Sequence, residues 1–233
     1  MTEHKTEHVK YYARTLVLPM LLMAAVTYGA GQAILAWPTG EAAVSRGLAA
    51  DRTSQWNTLT DFGSSLSDTP YIVALTAVAA IVCRLAFHRW RESIFLVAAV
   101  WSQSLVFLAT TELVDRHRPP VPHLDPAPPT SSFPSGHMSA AVAFYCGIGL
   151  ILTLHIRARA LQVLIWALAV AAPLAVGFSR LYRGMHFVSD VLWGLLLGLA
   201  CVVMAAWAIL YRRERTSPSR QPGRRTAGAA KVT

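Results

Sequence analysis

The chain has 233 residues, of which 54% are hydrophobic and only 14% charged, with a formal net charge of +9. A soluble domain carries about 25% charged residues, so this composition excludes an ordinary water-soluble fold and points to a chain built into a membrane. The positive charge does not indicate nucleic acid, because the basic residues are scattered between apolar runs and at the C-terminal end, not clustered on one polar face.

A bilayer core needs roughly 20 mostly apolar residues per helix. After a basic segment over 1–14, the uncharged run from Thr15 to Trp37 is the first predicted span. It follows basic residues as a signal peptide would, yet it is too long for an h-region and lacks a small-x-small exit, so it reads as retained. Residues 38–68 form a long loop of mixed polarity without strong periodicity, to which no chemistry is assigned. The second span, Thr69 to Cys83, is short, and is extended by Leu85 to Phe87 once Arg84 snorkels to the interface. Ser93 to Thr111, Met138 to Leu154, Ala160 to Ser179 and Val191 to Tyr211, each free of charge, bring the total to six. The tail from Arg212 is rich in Ser, Pro, Gly and Arg and reads as a disordered, solvated, topology-setting segment. Cys83, Cys146 and Cys201 each lie inside an apolar run and read as packing residues, with no metal-ligand spacing among them.

Six spans put both termini on one side, together with the loops at 84–92 and 155–159. The opposite side holds Arg46, Arg52, Arg116, Arg118, Arg180 and Arg183, which leaves fifteen of the 21 Lys and Arg residues on the side of the termini. The positive-inside rule then makes the termini cytoplasmic in a multi-pass plasma-membrane protein. The expected architecture is an all-α, six-transmembrane-helix bundle with a short tail over 1–14, a core over 15–211 and a basic tail over 212–233.

Three polar patches fall on the outer side. TELVDRHRPP (111–120) leaves the third span, SSFPSGHMSAA (131–141) enters the fourth, and SRLYRGMHFVSD (179–190) joins the fifth to the sixth. Charge at the edge of a membrane-length segment is costly and marks a functional site by default. His186 and Asp190 are four apart, one face of a helix, and a carboxylate there can fix an imidazole's tautomer and sharpen it as base or nucleophile. Arg180 and Arg183 have forked guanidiniums suited to phosphate oxygens. Pro134-Ser135-Gly136 reads as a tight turn before a helix, where exposed N–H groups and a hydroxyl make an anion seat. Between the first two patches, VPHLDPAPPT is proline-dense and reads as a stiff, extended loop. Taken singly, Arg116 and Arg183 are as readily interfacial anchors, and Asp190 a helix N-cap. Their joint occurrence at fixed offsets on one side of the membrane favours a site.

These offsets resemble the signature of the type 2 phosphatidic acid phosphatase superfamily, which includes the vanadium haloperoxidases: Lys-x6-Arg-Pro, Pro-Ser-Gly-His and Ser-Arg-x5-His-x3-Asp. The second part is complete at Pro134, Ser135, Gly136 and His137, and the third at Ser179, Arg180, His186 and Asp190. The first is matched at Arg118 and Pro119 alone, because Thr111 stands where the family has its lysine.

The resemblance implies a six-span lipid phosphatase with its active site at the outer membrane–water interface. It implies His186 as nucleophile, Asp190 as its orienting carboxylate and His137 as the acid that protonates the leaving oxygen. It also implies that Arg118, Arg180, Ser135 and Gly136 hold the phosphoryl oxygens, with no metal or other cofactor. Arg116 or Arg183 is expected to compensate for the lysine missing at Thr111. The expected partners are the bilayer and a lipid phosphate: polyprenyl diphosphate first, then phosphatidic acid or phosphatidylglycerol phosphate. The alternatives are a lipid phosphotransferase on the same site and a catalytically weak anion-binding or transport protein. Nothing in the sequence bears on oligomeric state.

Overall fold

A computed structural model of the chain describes residues 10–37 and 40–211. The expected disordered tail over 212–233, like residues 1–9, lies outside the described residues. In chain order the helices are α1 (Lys10–Ala36), α2 (Ala42–Ala50), α3 (Ser54–Ser65), α4 (Thr69–Phe87), α5 (Arg91–Thr111), α6 (Gly136–His155), α7 (Arg159–Tyr182) and α8 (Val188–Leu210). Six of them, all but α2 and α3, are long and apolar enough to cross a membrane, which gives the all-α six-span bundle expected from the sequence. Most of their ends run past the apolar windows, by up to five residues at Lys10, while others coincide with the window or stop one residue short of it. Apolar composition marks where the hydrocarbon begins, whereas the helical hydrogen-bond ladder continues into the interface. Thus α7 carries Arg180 and Tyr182 within its last turn.

Three spans form the centre. At least half of the most apolar window of α5, α6 and α8 is buried, against 11%, 17% and 22% for α1, α4 and α7. Phe95, Leu96 and Ala99 of α5 pack with Ala143 and Phe144 of α6 and with Ala205 and Ile209 of α8. The outer helices expose Leu21, Leu22, Val73, Ile81, Val163 and Leu168. Such a continuous apolar surface is stable facing hydrocarbon and not facing water. Because lipid tails are as apolar as leucine, close helix approach here relies on small residues. Gly194 and Gly198 supply it on α8: a Cβ at Gly194 would lie 2.5 Å from the Ser135 carbonyl oxygen, and one at Gly198 2.7 Å from that of Ser139. The pair lets α8 settle against the first turns of α6, where two of the three polar patches meet.

The segment read as a structureless outer loop is largely helical. Thr53 caps α3 by accepting a hydrogen bond from the Trp56 N–H at 3.2 Å, and α3 lies along α7 with Trp56 against Phe178 and Tyr182. Short Ser- and Thr-rich helices carry little hydrophobic periodicity, so composition hides them. The consequence is functional, because residues 41–68 deliver several carboxylates to the site end of the bundle.

Candidate active site

The three polar patches converge at one end of the bundle, around a cavity of about 1270 Å³. His186 sits in the turn between α7 and α8 and is almost fully buried. Its Nδ1 lies 2.7 Å from the Ser132 carbonyl oxygen and 3.8 Å from Asp190 Oδ2. The carbonyl oxygen only accepts, so Nδ1 carries the proton and Nε2 keeps a free lone pair. Burial pushes the His186 pKa down to about 4, opposed by Asp190 and reinforced by Arg180 and Arg118. The imidazole is therefore neutral near pH 7, the state a nucleophile needs.

Asp190 occupies the first turn of α8, where its Oδ2 accepts the Phe187 N–H at 2.7 Å. Its other oxygen pairs with Arg116. The sequence expectation made Asp190 the orienting partner of His186, but the closer partner of Nδ1 is the Ser132 backbone. Asp190 contributes charge from 3.8 Å instead, because its lone pairs are already engaged.

Arg118 and Arg180 both line the cavity. Arg118 Nη1 donates to the Met185 carbonyl at 2.8 Å, and Arg180 Nη1 donates to Ser64 Oγ at 2.9 Å and Asp125 Oδ2 at 2.8 Å. In each, the Nε–H is buried without a partner in the protein. Two orphaned guanidinium donors beside one imidazole are costly unless an anion completes them. Gly136 lines the same cavity at the start of α6, where first-turn N–H groups have no intrahelical acceptor. Ser135 has a different place. Its hydroxyl is fully buried and caps α6 through the Met138 N–H, while its own N–H donates to the Asp190 carbonyl at 3.0 Å. It ties the turn to α8 and does not line the cavity. His137 does line it, with Nε2 3.1 Å from Asp68 Oδ1.

Arg116 and Arg183 stand outside the cavity. Arg116 joins Asp190 to Glu41, at 2.9 Å, and to Ser189 Oγ, at 2.7 Å, while its guanidinium lies 4.4 Å from the Phe187 ring centroid. Arg183 is held by Asp125 at 2.7 Å and Asp61 at 3.0 Å. Neither replaces the cation missing at Thr111, whose side chain lines the cavity and carries no charge. Both are consumed by carboxylates that fix the site's walls.

Sequence reasoning missed Ser132, Asp68, Asp125 and Glu41. Asp68-Thr69-Pro70 was a usable signal, since Asp before a Pro-started helix marks a span's polar end. Asp125 sits in the stiff proline-rich loop, where rigidity itself favours a fixed contact. A backbone carbonyl such as that of Ser132 leaves no trace in a single sequence. The lining also includes apolar side chains, Ile72 and Val73 of α4 and Val100, Trp101 and Phe107 of α5.

A family model for the PAP2 superfamily matches residues 92–214. Phosphatidylglycerophosphatase B of Bacillus subtilis (strain 168) is 31% identical over 147 residues, which is 60% of this chain and 67% of that protein. The crystal structure of a transmembrane PAP2-type phosphatidylglycerolphosphate phosphatase from Bacillus subtilis superposes with a TM-score of 0.72 at 24% identity, covering 88% of this chain and 99% of the other. That of Aquifex aeolicus LpxE superposes with a TM-score of 0.56 at 21% identity, covering 70% and 92%.

Proposed function

Because this chain belongs to the PAP2 superfamily, as a membrane enzyme that hydrolyses lipid phosphates, we propose that it does so through a covalent phosphohistidine at His186. Nε2 of His186 attacks phosphorus in line, and the bond from phosphorus to the lipid oxygen breaks with its electron pair on that oxygen. His137, on the opposite side, gives that oxygen a proton. It then takes a proton from water, which attacks the phosphorus. The phosphorus–nitrogen pair returns to Nε2, and inorganic phosphate leaves.

Arg118, Arg180 and the Gly136 N–H serve the equatorial oxygens, where charge is greatest in the transition state. Asp190 meets the positive imidazole that attack creates. Fixed guanidiniums supply the charge that a metal supplies elsewhere, so the proposed reaction runs without metal or cofactor.

The observation that carries this reading is the gathering of two histidines and two guanidiniums, each guanidinium with an orphaned buried Nε–H, around one cavity. The apolar walls from α4 and α5 support a lipid whose chains lie along them. The named activity of the Bacillus subtilis relative adds weight to phosphatidylglycerol phosphate among the candidate lipids. The charge asymmetry of the sequence supports a site on the outer face of the plasma membrane.

Purified protein in detergent with EDTA should release phosphate from a panel of lipid phosphates, and His186→Ala should abolish release. No release, or release indifferent to the substitution, overturns the reading. Phosphate transferred to an added alcohol would replace hydrolase with phosphotransferase.

A further inference from the structure

In-line attack by His186 places the departing group beside His137, and His137 Nε2 is 3.1 Å from Asp68 Oδ1. The Asp68 side chain is 40% exposed and lines the cavity. It also immediately precedes α4, whose Ile72 and Val73 form the apolar wall. The first atoms of the departing lipid therefore pass this carboxylate on their way to the apolar region.

We infer that the cavity is built to accept a lipid phosphate monoester and to reject a lipid diphosphate, with Asp68 as the discriminating residue. The inference rests on the phosphatase reading above. Cleaving a monoester releases an alcohol, which is neutral once His137 has protonated it. After that proton leaves, Asp68 has lost its hydrogen-bonded cationic partner beside whatever has departed, and keeps only the more distant fields of Arg180 and Arg183. An alcohol tolerates this. A lipid monophosphate, the leaving group of a diphosphate, carries its own negative charge to the same place and is repelled. The hydrogen bond from His137 holds the Asp68 carboxyl below the usual carboxylate range, so it is ionised at working pH.

A second phosphate also lacks a cation to receive it. Among the described residues that line the cavity, the arginines are Arg118 and Arg180, the pair proposed to hold the phosphoryl group under attack, and Arg180 is in addition paired with Asp125. Thr111 contributes no charge, and its neighbour Glu112 adds another carboxylate to the lining. Asp125 is paired with Arg180 and Arg183 and Asp61 with Arg183, whereas Asp68 is the carboxylate bonded to His137, the acid at the departing oxygen.

The test uses farnesyl phosphate and farnesyl diphosphate, which share one lipid tail, with initial phosphate release measured in detergent. The parent should favour the monophosphate by roughly tenfold or more in kcat/KM, the scale of one like-charge pair near a protein surface. Asp68→Asn should narrow that ratio by roughly tenfold. Thr111→Lys, which leaves the His137–Asp68 pair intact, should narrow it through the diphosphate rate. A parent that prefers the diphosphate overturns the inference while leaving the phosphatase reading intact. So does an Asp68→Asn enzyme that loses both rates equally, because that would make Asp68 a positioning residue for His137 alone. No release from either substrate overturns the phosphatase reading, and the inference with it.

Discussion

Replacing Arg116 with methionine tests whether this arginine acts on the site through Asp190 or on the phosphate directly. The side chains of Arg116, Asp190 and Glu41 are 9%, 0% and 13% exposed, so one guanidinium neutralises two nearly dry carboxylates. Methionine fills much of the volume and stacks on Phe187 but leaves both charges behind. Breaking a buried pair from one side costs about 3–5 kcal/mol. In a chain of this size each kcal/mol moves the melting temperature by about 2–4 °C, so Arg116→Met should melt roughly 10 °C lower. Asp190 Oδ2 then has only the Phe187 N–H to hold it 3.8 Å from His186, so the counter-charge to the developing imidazolium is less firmly placed, and kcat should fall about a hundredfold. KM should barely move, because Arg116 does not face the cavity. Removing the second carboxylate as well, in Arg116→Met with Glu41→Gln, should recover at least about 1 kcal/mol relative to additivity. The assay is fluorescence-monitored melting in detergent beside initial rates on a short-chain lipid phosphate. A melting point within about 2 °C of the parent with kcat within about twofold would refute the argument. A loss confined to KM would return Arg116 to the phosphate.

Other consequences follow from the same geometry. The depressed His186 pKa puts the acidic limb of kcat/KM, after correction for substrate ionisation, well below 6.5, and a limb at 6.5 or above in pH-rate data contradicts a buried neutral nucleophile. Between about 4 and 6.5 the unfolded chain binds a proton at His186 that the folded chain does not, so melting temperature should fall as pH falls through that window. Gly194→Val would push a side chain into the Ser135 carbonyl, separate α8 from α6 and cost about 1–3 kcal/mol; because Ser135 and Asp190 are bonded across that seam, activity should fall further than stability implies. For orientation, Pro128→Cys in intact cells should react with an impermeant maleimide and Arg157→Cys should not, against a silent background of buried Cys83, Cys146 and Cys201. The reverse pattern would put the site in the cytoplasm.

The six spans were legible because each is a long uncharged run, and twenty apolar residues permit few alternatives in a chain this hydrophobic. His186, Arg180 and His137 were legible because their spacing around spans is improbable unless selected for chemistry. Position within the site was harder to read. Arg116, Arg118, Arg180 and Arg183 are equivalent as residue types, and only the packing shows that Arg118 and Arg180 line the cavity while Arg116 and Arg183 stand outside it, tied to carboxylates. Those carboxylates, Glu41, Asp61 and Asp125, lie in segments without periodicity, where partner choice depends on contacts across the chain. Glu41 and Ser189 are separated by 148 residues and Arg180 and Asp125 by 55, distances that local pattern does not report. Ser132 acts through its carbonyl, which every residue has.

A covalent phosphoryl group at His186 is the centre of the proposed chemistry. Protein mixed with a ³²P-labelled lipid phosphate and quenched in alkali within one turnover should carry label that is alkali-stable and acid-labile, as a phosphoramidate is. The label should disappear on acid treatment, be absent from His186→Ala, and accumulate in a His137→Ala enzyme supplied with a substrate whose leaving group needs no protonation. Label on the parent and on His186→Ala alike, or none on any of the three while phosphate release continues, would contradict it.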